Sequence, residues 1–230
     1  TSGTLVPCGL NGINLGNAIP YNEACTSNSK KLNLIAGEDK FLNNPYSSVA
    51  KAIKLIDTFG ENIILRHQSD WISGWFLKDW SYGEESNNLK LGWNTANKSW
   101  PESFDSFSLK KSLPLIIKSG SIFGKINQSI ANLLGTNEHL LLISGTTDSN
   151  AAFIAAQVKE NEGLTILGTT IVLKKIIKKT FNHPGITMHK VNGDLICGGS
   201  SNAGCGVLSN FFSDLEIEEL SQQINPRKKT

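Results

Sequence analysis

The stretch from Leu140 to Phe153, LLLISGTTDSNAAF, decides the fold. Its apolar start, Leu140 to Ser144, predicts a buried strand, and the run from Ser149 to Val158 predicts an apolar helix. The polar turn Gly145-Thr146-Thr147-Asp148 joins the two. A strand that leads directly into a helix is typical of α/β proteins, in which ligands bind beyond the carboxyl ends of the strands.

Asp148 is the candidate functional residue of this turn. Backbone N–H groups at the start of a helix favour an anion nearby, so a carboxylate here can work beside a charged ligand. The same position also suits a helix cap, which is a purely structural role. The pattern leaves both readings open, because Ser149 could cap the helix and leave Asp148 free.

A second polar turn, Gly168-Thr169-Thr170, stands between the apolar runs Leu164–Leu167 and Ile171–Leu173 and predicts a strand, a tight turn and a strand. Its backbone amides and two hydroxyls suit a phosphate, although such turns also occur without a ligand. Further along, Gly198 to Asn202 predicts a loop that opens an apolar helix from Ala203 to Phe212. No Lys follows these glycines, so the loop is not a P-loop.

Earlier in the chain, Thr4 to Val6 predicts a strand, and Val49 to Phe59 has apolar residues at helical spacing. Gln68 to Trp80 predicts another helix. His67 and Asp70 are three residues apart and could form an acid–base pair, but a histidine that serves packing is the favoured reading.

Composition excludes several classes of protein. The 230 residues are 39% hydrophobic and 18% charged, which is typical of a globular protein, and the net charge of +2 favours neither nucleic acid nor an anionic membrane as partner. The four cysteines have neither zinc spacing nor the density of a disulfide framework, so no metal site and a reducing compartment are expected. No apolar run approaches the ~20 residues of a membrane helix. We therefore expect a cytoplasmic protein.

The two ends of the sequence are abrupt. It opens without Met at Thr1-Ser2-Gly3-Thr4 and stops within the polar residues 225–230. We therefore expect a fragment of a longer protein. The polar stretch from Lys159 to Gly163 is the predicted domain boundary.

Several motifs, in order along the chain, resemble the FGGY family of carbohydrate kinases. The resemblance is greatest to the branch of D-ribulose kinases and plant-type xylulose kinase homologues. The segments that carry it are Thr1 to Leu5, Gln68 to Trp71, Asn88 to Gly92, Gly145 to Phe153, Leu167 to Lys174 and Gly198 to Gly204.

This resemblance implies an α/β, actin-like fold of two ribonuclease-H-like domains, incomplete here at both ends. Residues 1–158 would be the latter part of the N-terminal, sugar-binding domain, and residues 159–230 the beginning of the C-terminal, nucleotide-binding domain. Asp148 matches the family's catalytic base and would also contact the sugar. Ser2 matches a sugar contact, and Gly168, Thr169 and Thr170 match the turn around the ATP phosphates.

The implied activity is transfer of the γ-phosphate of ATP, with Mg²⁺, to a hydroxyl of a small sugar. A ketopentose is expected, D-ribulose first and D-xylulose second. The family's opening phosphate hairpin and adenine-binding segment are missing, so residues 1–230 alone should be inactive, with the strand at Thr4–Val6 left as an exposed edge. The alternatives are a kinase for glycerol or gluconate, a non-catalytic binding relative, and an interaction module.

Overall fold

The structure is a computed structural model that describes residues 3–181, 183, 185–191, 193–201 and 203–225. Ser2, the predicted sugar contact, lies outside the described residues. The chain divides into two compact units. The first comprises Thr1–Ala155 and Lys190–Gly193, and the second comprises Ala156–His189 and Asp194–Thr230.

The first unit mixes short strands with helices. In chain order these elements are β1 (Leu5–Cys8), α1 (Ser29–Ala36), α2 (Ser48–Phe59), β2 (Ile64–His67), α3 (Gln68–Leu77), β3 (Tyr82–Glu84), α4 (Glu85–Asn88), β4 (Leu115–Ile117), β5 (Ile122–Lys125), α5 (Gln128–Leu134), β6 (Leu141–Ile143) and α6 (Asp148–Ala155). Three 3₁₀ turns lie between α4 and β4, at Leu89–Leu91, Glu102–Phe107 and Lys110–Ser112. The strands pair as β1 with β2 and β5 with β6, both antiparallel, and as β3 with β4, parallel.

Helix α2 lies at the centre of the main core, which confirms the helix predicted from Val49 to Phe59. The Ser47 side chain caps its start by accepting a hydrogen bond from the Ala50 amide, at 3.1 Å. Its apolar face packs in one cluster with strands β1 and β2, through Leu5 and Leu65. Phe59, at the end of the predicted stripe, is 36% exposed.

Strand β1 is not an exposed edge, and the expectation that it would be is wrong. On one side it pairs with β2. On the other side Leu5 exchanges backbone hydrogen bonds with Ile19, and the Leu15 amide donates to the Pro7 carbonyl. The chain that follows β1 turns back and covers this edge itself, so all four residues of the strand are buried.

Strand β6 forms where the sequence predicts it, but it is not buried. Leu141 is 46% exposed and Ile143 is 52% exposed. The physical reason is that, in the part of the chain that the structure describes, β6 pairs with β5 alone in a sheet of two strands, so its apolar side chains are not covered on both faces.

The second unit contains most of a four-stranded sheet, in which β7 and β10 each run antiparallel to β8, and a C-terminal helix. The elements of this part of the chain are β7 (Gly163–Leu167), β8 (Ile171–Ile177), β9 (Ile186–Val191, whose last two residues fall in the first unit), β10 (Asp194–Ser201), a 3₁₀ turn (Cys205–Asn210) and α7 (Asp214–Gln223). The strand order is β7-β8-β10-β9. The predicted strand–turn–strand around Gly168 is confirmed as the β7–β8 hairpin.

The loop predicted from Gly198 to Asn202 is wrong over its described residues. Gly198 to Ser201 continue strand β10 and pair with Ile171 to Lys174 of β8. Backbone pairing with β8 extends the strand through residues whose small side chains resemble a loop. The helix predicted after them is only the short 3₁₀ turn Cys205–Asn210, all of it at least partly exposed.

Among the described residues, no helix is both long enough and apolar enough to cross a bilayer.

Candidate active site

Asp148 is the first residue of α6 and is exposed. The backbone carbonyl of Thr147 accepts from the amides of Asn150 and Ala151, at 3.0 and 2.9 Å, and so closes the first turn. One carboxylate oxygen of Asp148 accepts from the adjacent Ser149 amide, at 2.9 Å. The side chain therefore stands at the exposed start of a helix, where it can reach a ligand.

Lys90 lies near enough to Asp148 for their charges to interact. It lies in the 3₁₀ turn Leu89–Leu91 and is half-buried. Burial lowers the pKa of the Lys90 ammonium below its usual range, and the charge of Asp148 opposes that shift. The Asp148 carboxylate and the Lys90 ammonium therefore lie in the same region of the first unit.

Gly3 places the start of the described chain beside the same ammonium. A Cβ atom at Gly3 would lie 3.4 Å from Lys90 Cδ and 3.7 Å from Lys90 Nζ. Gly3 has a φ of 90°, a conformation that favours glycine. Gly3 therefore lies close to the Lys90 side chain, with no side chain of its own between them.

A chain of hydroxyl groups ties the Asp148 loop to helix α4. Thr146 Oγ1 donates to Ser86 Oγ at 3.1 Å and accepts from Asn150 Nδ2 at 3.2 Å. Ser86 Oγ is 3.3 Å from Ser119 Oγ, which donates to Glu84 Oε1 at 2.6 Å. These contacts join the segments that follow β3, β4 and β6.

Asp70 is a buried carboxyl group that contacts the same segment, the end of β3 and helix α4. Its two oxygens accept from the Glu84 amide and from Asn88 Nδ2, both at 2.9 Å. Burial raises its pKa to about 7, and these two hydrogen bonds oppose the shift. Asp70 therefore holds the end of β3 and the end of α4 together.

His67 is not an acid–base partner of Asp70. The two Asp70 oxygens are taken up by Glu84 and Asn88, and His67 is fully buried. Burial and the nearby Lys90 charge lower the pKa of His67 to about 3, while the backbone of Thr4 acts in the opposite direction. The imidazole is neutral at physiological pH and serves packing.

Gly168, Thr169 and Thr170 lie together in the β7–β8 turn of the second unit. Both threonines are exposed. The Gly168 amide donates to the Thr170 carbonyl at 3.1 Å, so this amide is already engaged within the turn. Of the three predicted phosphate-binding residues, Thr169 and Thr170 are therefore the exposed ones, and the Gly168 amide is engaged within the turn.

The back of this turn rests on the segment Gly204–Gly206. The Cys205 amide donates to the Gly168 carbonyl at 2.9 Å, and the Gly206 amide donates to the Thr169 carbonyl at 3.3 Å. A Cβ atom at Gly204 would lie 2.6 Å from the Thr169 oxygen and 2.7 Å from the Gly168 oxygen. Only glycine allows this approach, which fixes the shape of the turn.

Sequence reasoning identified Asp148 but not Lys90, Ser86 or Thr146 as parts of one arrangement. Lys90 lies inside the motif from Asn88 to Gly92. That motif is the sequence signal from which a functional position at Lys90 could have been predicted. Its neighbour Leu91 is buried and Gly92 has a φ of 106°, so the turn that carries Lys90 is firmly anchored.

No protein-family model matches the chain. Solved structures do match it. They include xylulose kinase from Rhodospirillum rubrum, with a TM-score of 0.78, 15% identity, and coverage of 97% of this chain and 51% of that one. Gluconate kinase from Lactobacillus acidophilus has a TM-score of 0.76, 15% identity, and coverage of 97% and 50%. Glycerol kinase from Plasmodium falciparum with ADP has a TM-score of 0.73, 18% identity, and coverage of 96% and 50%.

These matches confirm the fold class. The chain has the mixed helix and strand fold of part of a sugar kinase, and it spans about half the length of the structures that it matches. The three structures are named for three different substrates, so the shared fold alone does not determine which sugar is the substrate.

Proposed function

We propose that the protein is an ATP-dependent carbohydrate kinase of the FGGY type. The observation that carries this proposal is the position of Asp148, exposed at the first turn of α6 within a sugar-kinase fold. A non-catalytic binding relative and an interaction module are the competing proposals, and neither predicts sugar-dependent ADP release.

In the proposed reaction Asp148 is the general base. An oxygen of a sugar hydroxyl attacks the γ-phosphorus of ATP, the bond from that phosphorus to the ADP oxygen breaks, and the hydroxyl proton passes to the Asp148 carboxylate. The transition state of phosphoryl transfer is loose, so the residues act mainly by alignment and by accepting this proton. An exposed carboxylate at a helix start is suited to both tasks.

Gly168, Thr169 and Thr170 are the proposed contacts to the ATP phosphates. The two exposed threonine hydroxyls fit phosphate oxygens, and the glycine gives the turn its tight form. We assign residues 1–158 to the sugar-binding domain and residues 159–230 to the nucleotide-binding domain.

Mg²⁺ is the proposed metal ion, and the residues present fit an ion carried by the nucleotide. Among the described residues, no cluster of three or more His, Cys, Asp or Glu side chains is placed to hold a metal. Magnesium in such enzymes is typically bound by substrate phosphates with one or two carboxylates, and it neutralises phosphate charge.

A ketopentose is the proposed substrate, with D-ribulose first and D-xylulose second. The support is the resemblance of the motifs, including Ser2 as a sugar contact beside Gly3. Glycerol and gluconate are the competing substrates, because kinases named for them share the fold. We place the reaction in the cytoplasm, where ATP is available, and all four cysteines are free thiols.

The test is sugar-dependent ADP release by the full-length protein and its Asp148→Asn variant, with a panel of D-ribulose, D-xylulose, glycerol and gluconate. We expect kcat to fall by at least about 10²-fold in the variant, the lower range for loss of a general base. Equal rates for the two proteins would remove Asp148 from the reaction. A highest kcat/KM for glycerol would overturn the proposed substrate class but not the kinase.

A further inference from the structure

A cleft of about 530 Å³ opens on the surface of the first unit. This volume is within the range of about 300–1,000 Å³ that is typical of small-molecule sites. The turn after β1, strand β2 and the segment that follows α3 line the cleft. Their lining residues include Leu10, Ile64, Arg66, Lys78, Asp79 and Trp80. None of these residues has a role in the proposed phosphoryl transfer.

Arg66 is the buried cation of this cleft, with an exposed fraction of 3%. Its Nε donates to the Trp80 carbonyl, and its Nη1 donates to the carbonyls of Leu65 and Ser112, at 2.7 and 2.9 Å. The remaining nitrogen, Nη2, has no hydrogen-bond partner among the described residues, and it is not sealed from solvent. Because Arg66 lines the cleft, the two N–H groups of Nη2 are available to a ligand there.

The charge of Arg66 is not matched by a carboxylate. Its hydrogen-bond acceptors are neutral carbonyl groups, and within the described part of the chain it forms no ion pair. Burial lowers the pKa of the guanidinium to about 10, and the charges of Asp70, Cys8 and Asp79 oppose this shift. Burial also raises the pKa of Asp70 to about 7 and that of the Cys8 thiol to about 12, so neither is fully ionised at neutral pH. A buried cation of this kind favours an anionic ligand.

The other charged residues of the cleft are Lys78 and Asp79. The Nζ atom of Lys78 lies 5.5 Å from the centre of the Trp75 ring and, among the residues that the structure describes, has no oxygen partner. The Oδ1 atom of Asp79 accepts from the Ser81 amide at 2.9 Å. Two cationic side chains and one carboxylate give the cleft a single net positive charge.

Trp80 forms a fixed apolar wall of the cleft. Its Nε1 donates to a backbone carbonyl of α3 at 3.0 Å. A Cβ atom at Gly12 would lie 2.1 Å from the indole, and one at Gly74 would lie 2.3 Å from it, so the ring packs directly against backbone at both positions. Ile64, which is buried, and Leu10, which is 75% exposed, supply further apolar surface.

We propose that this cleft binds a small monocarboxylate with an apolar body, whose carboxylate accepts hydrogen bonds from Arg66 Nη2. A singly charged anion matches the net charge of the cleft, whereas a dianion such as a phosphate group would place excess negative charge beside Asp79. The apolar body would lie against Ile64 and Trp80 and displace water from them. This site is independent of the proposed kinase activity.

Calorimetric titration of the full-length protein with benzoate, at low ionic strength and pH 8, tests the proposal. Benzoate joins one carboxylate to an apolar ring, and we expect it to bind at one site. Inorganic phosphate, chiefly a dianion at this pH, should bind at least about tenfold more weakly.

Leu10→Glu places a negative charge at the exposed edge of the cleft and should weaken benzoate binding at least about tenfold. Leu34→Glu, which makes the same change at another exposed leucine of the first unit, is the matched control and should bind benzoate as wild type does.

Asp79→Asn reverses the sign of the effect. The variant loses the negative charge but keeps the Oδ1 acceptor for the Ser81 amide, so its local structure should be preserved. We expect its affinity for benzoate to rise severalfold and its affinity for phosphate to rise more, because the net charge of the cleft increases. A merely structural role for Asp79 predicts no such gain. If Leu10→Glu fails to melt cooperatively, Asp79→Asn carries the test alone.

Three outcomes would overturn the proposal. Absence of benzoate binding to wild type would leave the cleft to water. Unchanged benzoate affinity in a folded Leu10→Glu protein, or in Asp79→Asn, would place the ligand elsewhere. Phosphate binding to wild type as tight as that of benzoate would exclude the monocarboxylate as the preferred ligand.

Discussion

At the scale of single residues, Asp70 is a carboxyl group placed where its charge is unfavourable. It is 1% exposed and accepts two hydrogen bonds, and its pKa nevertheless rises to about 7. In the unfolded chain an aspartate has a pKa of about 3.9. Between these two values the folded state binds more protons than the unfolded state, so the free energy of unfolding falls as the pH rises from about 4 to 7.

Asp70→Asn should abolish this dependence. An amide keeps an acceptor for the Glu84 N–H, but its N–H₂ replaces the oxygen that accepts from Asn88 Nδ2, so the Asn88 amide must turn over and give up its bond to the Glu84 carbonyl. We expect the variant to be less stable than wild type near pH 4 but to keep the same stability up to pH 8, whereas wild type loses up to a few kcal/mol over this range, at about 1.4 kcal/mol per pKa unit. Urea unfolding at pH 4, 6 and 8 measures this difference.

Glu61→Gln, at an exposed position, is the control for loss of one carboxylate and should leave the pH dependence unchanged. If the Asp70→Asn protein lost stability with rising pH as steeply as wild type, another group would be responsible for the slope.

The sequence predicts the position of Asp148 but not that Lys90 lies near it, and the reason is physical. The position of Asp148 follows from local pattern, because an apolar strand and a helix enclose one polar turn. The proximity of Lys90 to Asp148 depends on a tertiary contact, between Thr146 and Ser86, that no local periodicity encodes. The burial of His67 and Asp70 likewise depends on which elements cover them.

At the scale of elements, the loop before α6 depends on its hydrogen bonds to α4. Thr146→Val keeps the shape of the side chain and removes both hydrogen bonds of its hydroxyl. We expect a loss of stability of about 1–3 kcal/mol, because the buried Asn150 amide loses an acceptor. We also expect kcat to fall more than KM for ATP changes, since the Asp148 loop is displaced.

Ser86→Ala, combined with Thr146→Val in a double-mutant cycle, isolates the contact between the two hydroxyls. A coupling of about 0.5–1 kcal/mol is expected for residues in one network. Thr136→Val, at an exposed threonine, is the matched control. Purely additive effects of the two substitutions would contradict the link between the loop and α4.

Helices and strands were predicted well where the local sequence signals agree with one another. They were predicted poorly where pairing with a distant strand determines the structure. Helix α2 has apolar periodicity, a Ser47 cap and Gly60 at its end, and all of these are visible in the sequence. Strand β10 runs through Gly198 to Ser201 because β8 offers a partner, although small residues are typical of loops. Helix α7 escaped prediction, yet its capping box of Ser213 and Glu216 was a readable signal.

At the scale of the whole molecule, the fold was predictable because ordered motifs constrain it more than composition does. The matched sugar kinases share 15–18% of residues with this chain, yet the chain follows their fold over nearly its whole length. Exposed apolar residues such as Leu141 and Phe211 were not predictable. Whether an apolar side chain is covered depends on the packing of distant segments.

The reactivity of Cys205 can report on the proposed phosphate contact of the Gly168–Thr170 turn. The exposed Cys205 follows Gly204, and its amide is bonded to the Gly168 carbonyl. Alkylation by iodoacetamide, followed by mass spectrometry of the peptides, should modify Cys205 readily and leave the buried Cys8 and Cys25 unmodified. If ATP engages the turn, the labelling rate of Cys205 should fall severalfold when the nucleotide is added. An unchanged rate at saturating ATP would contradict the assignment of Gly168–Thr170 to the phosphates. Because Cys205 is a native residue, this experiment needs no engineered label.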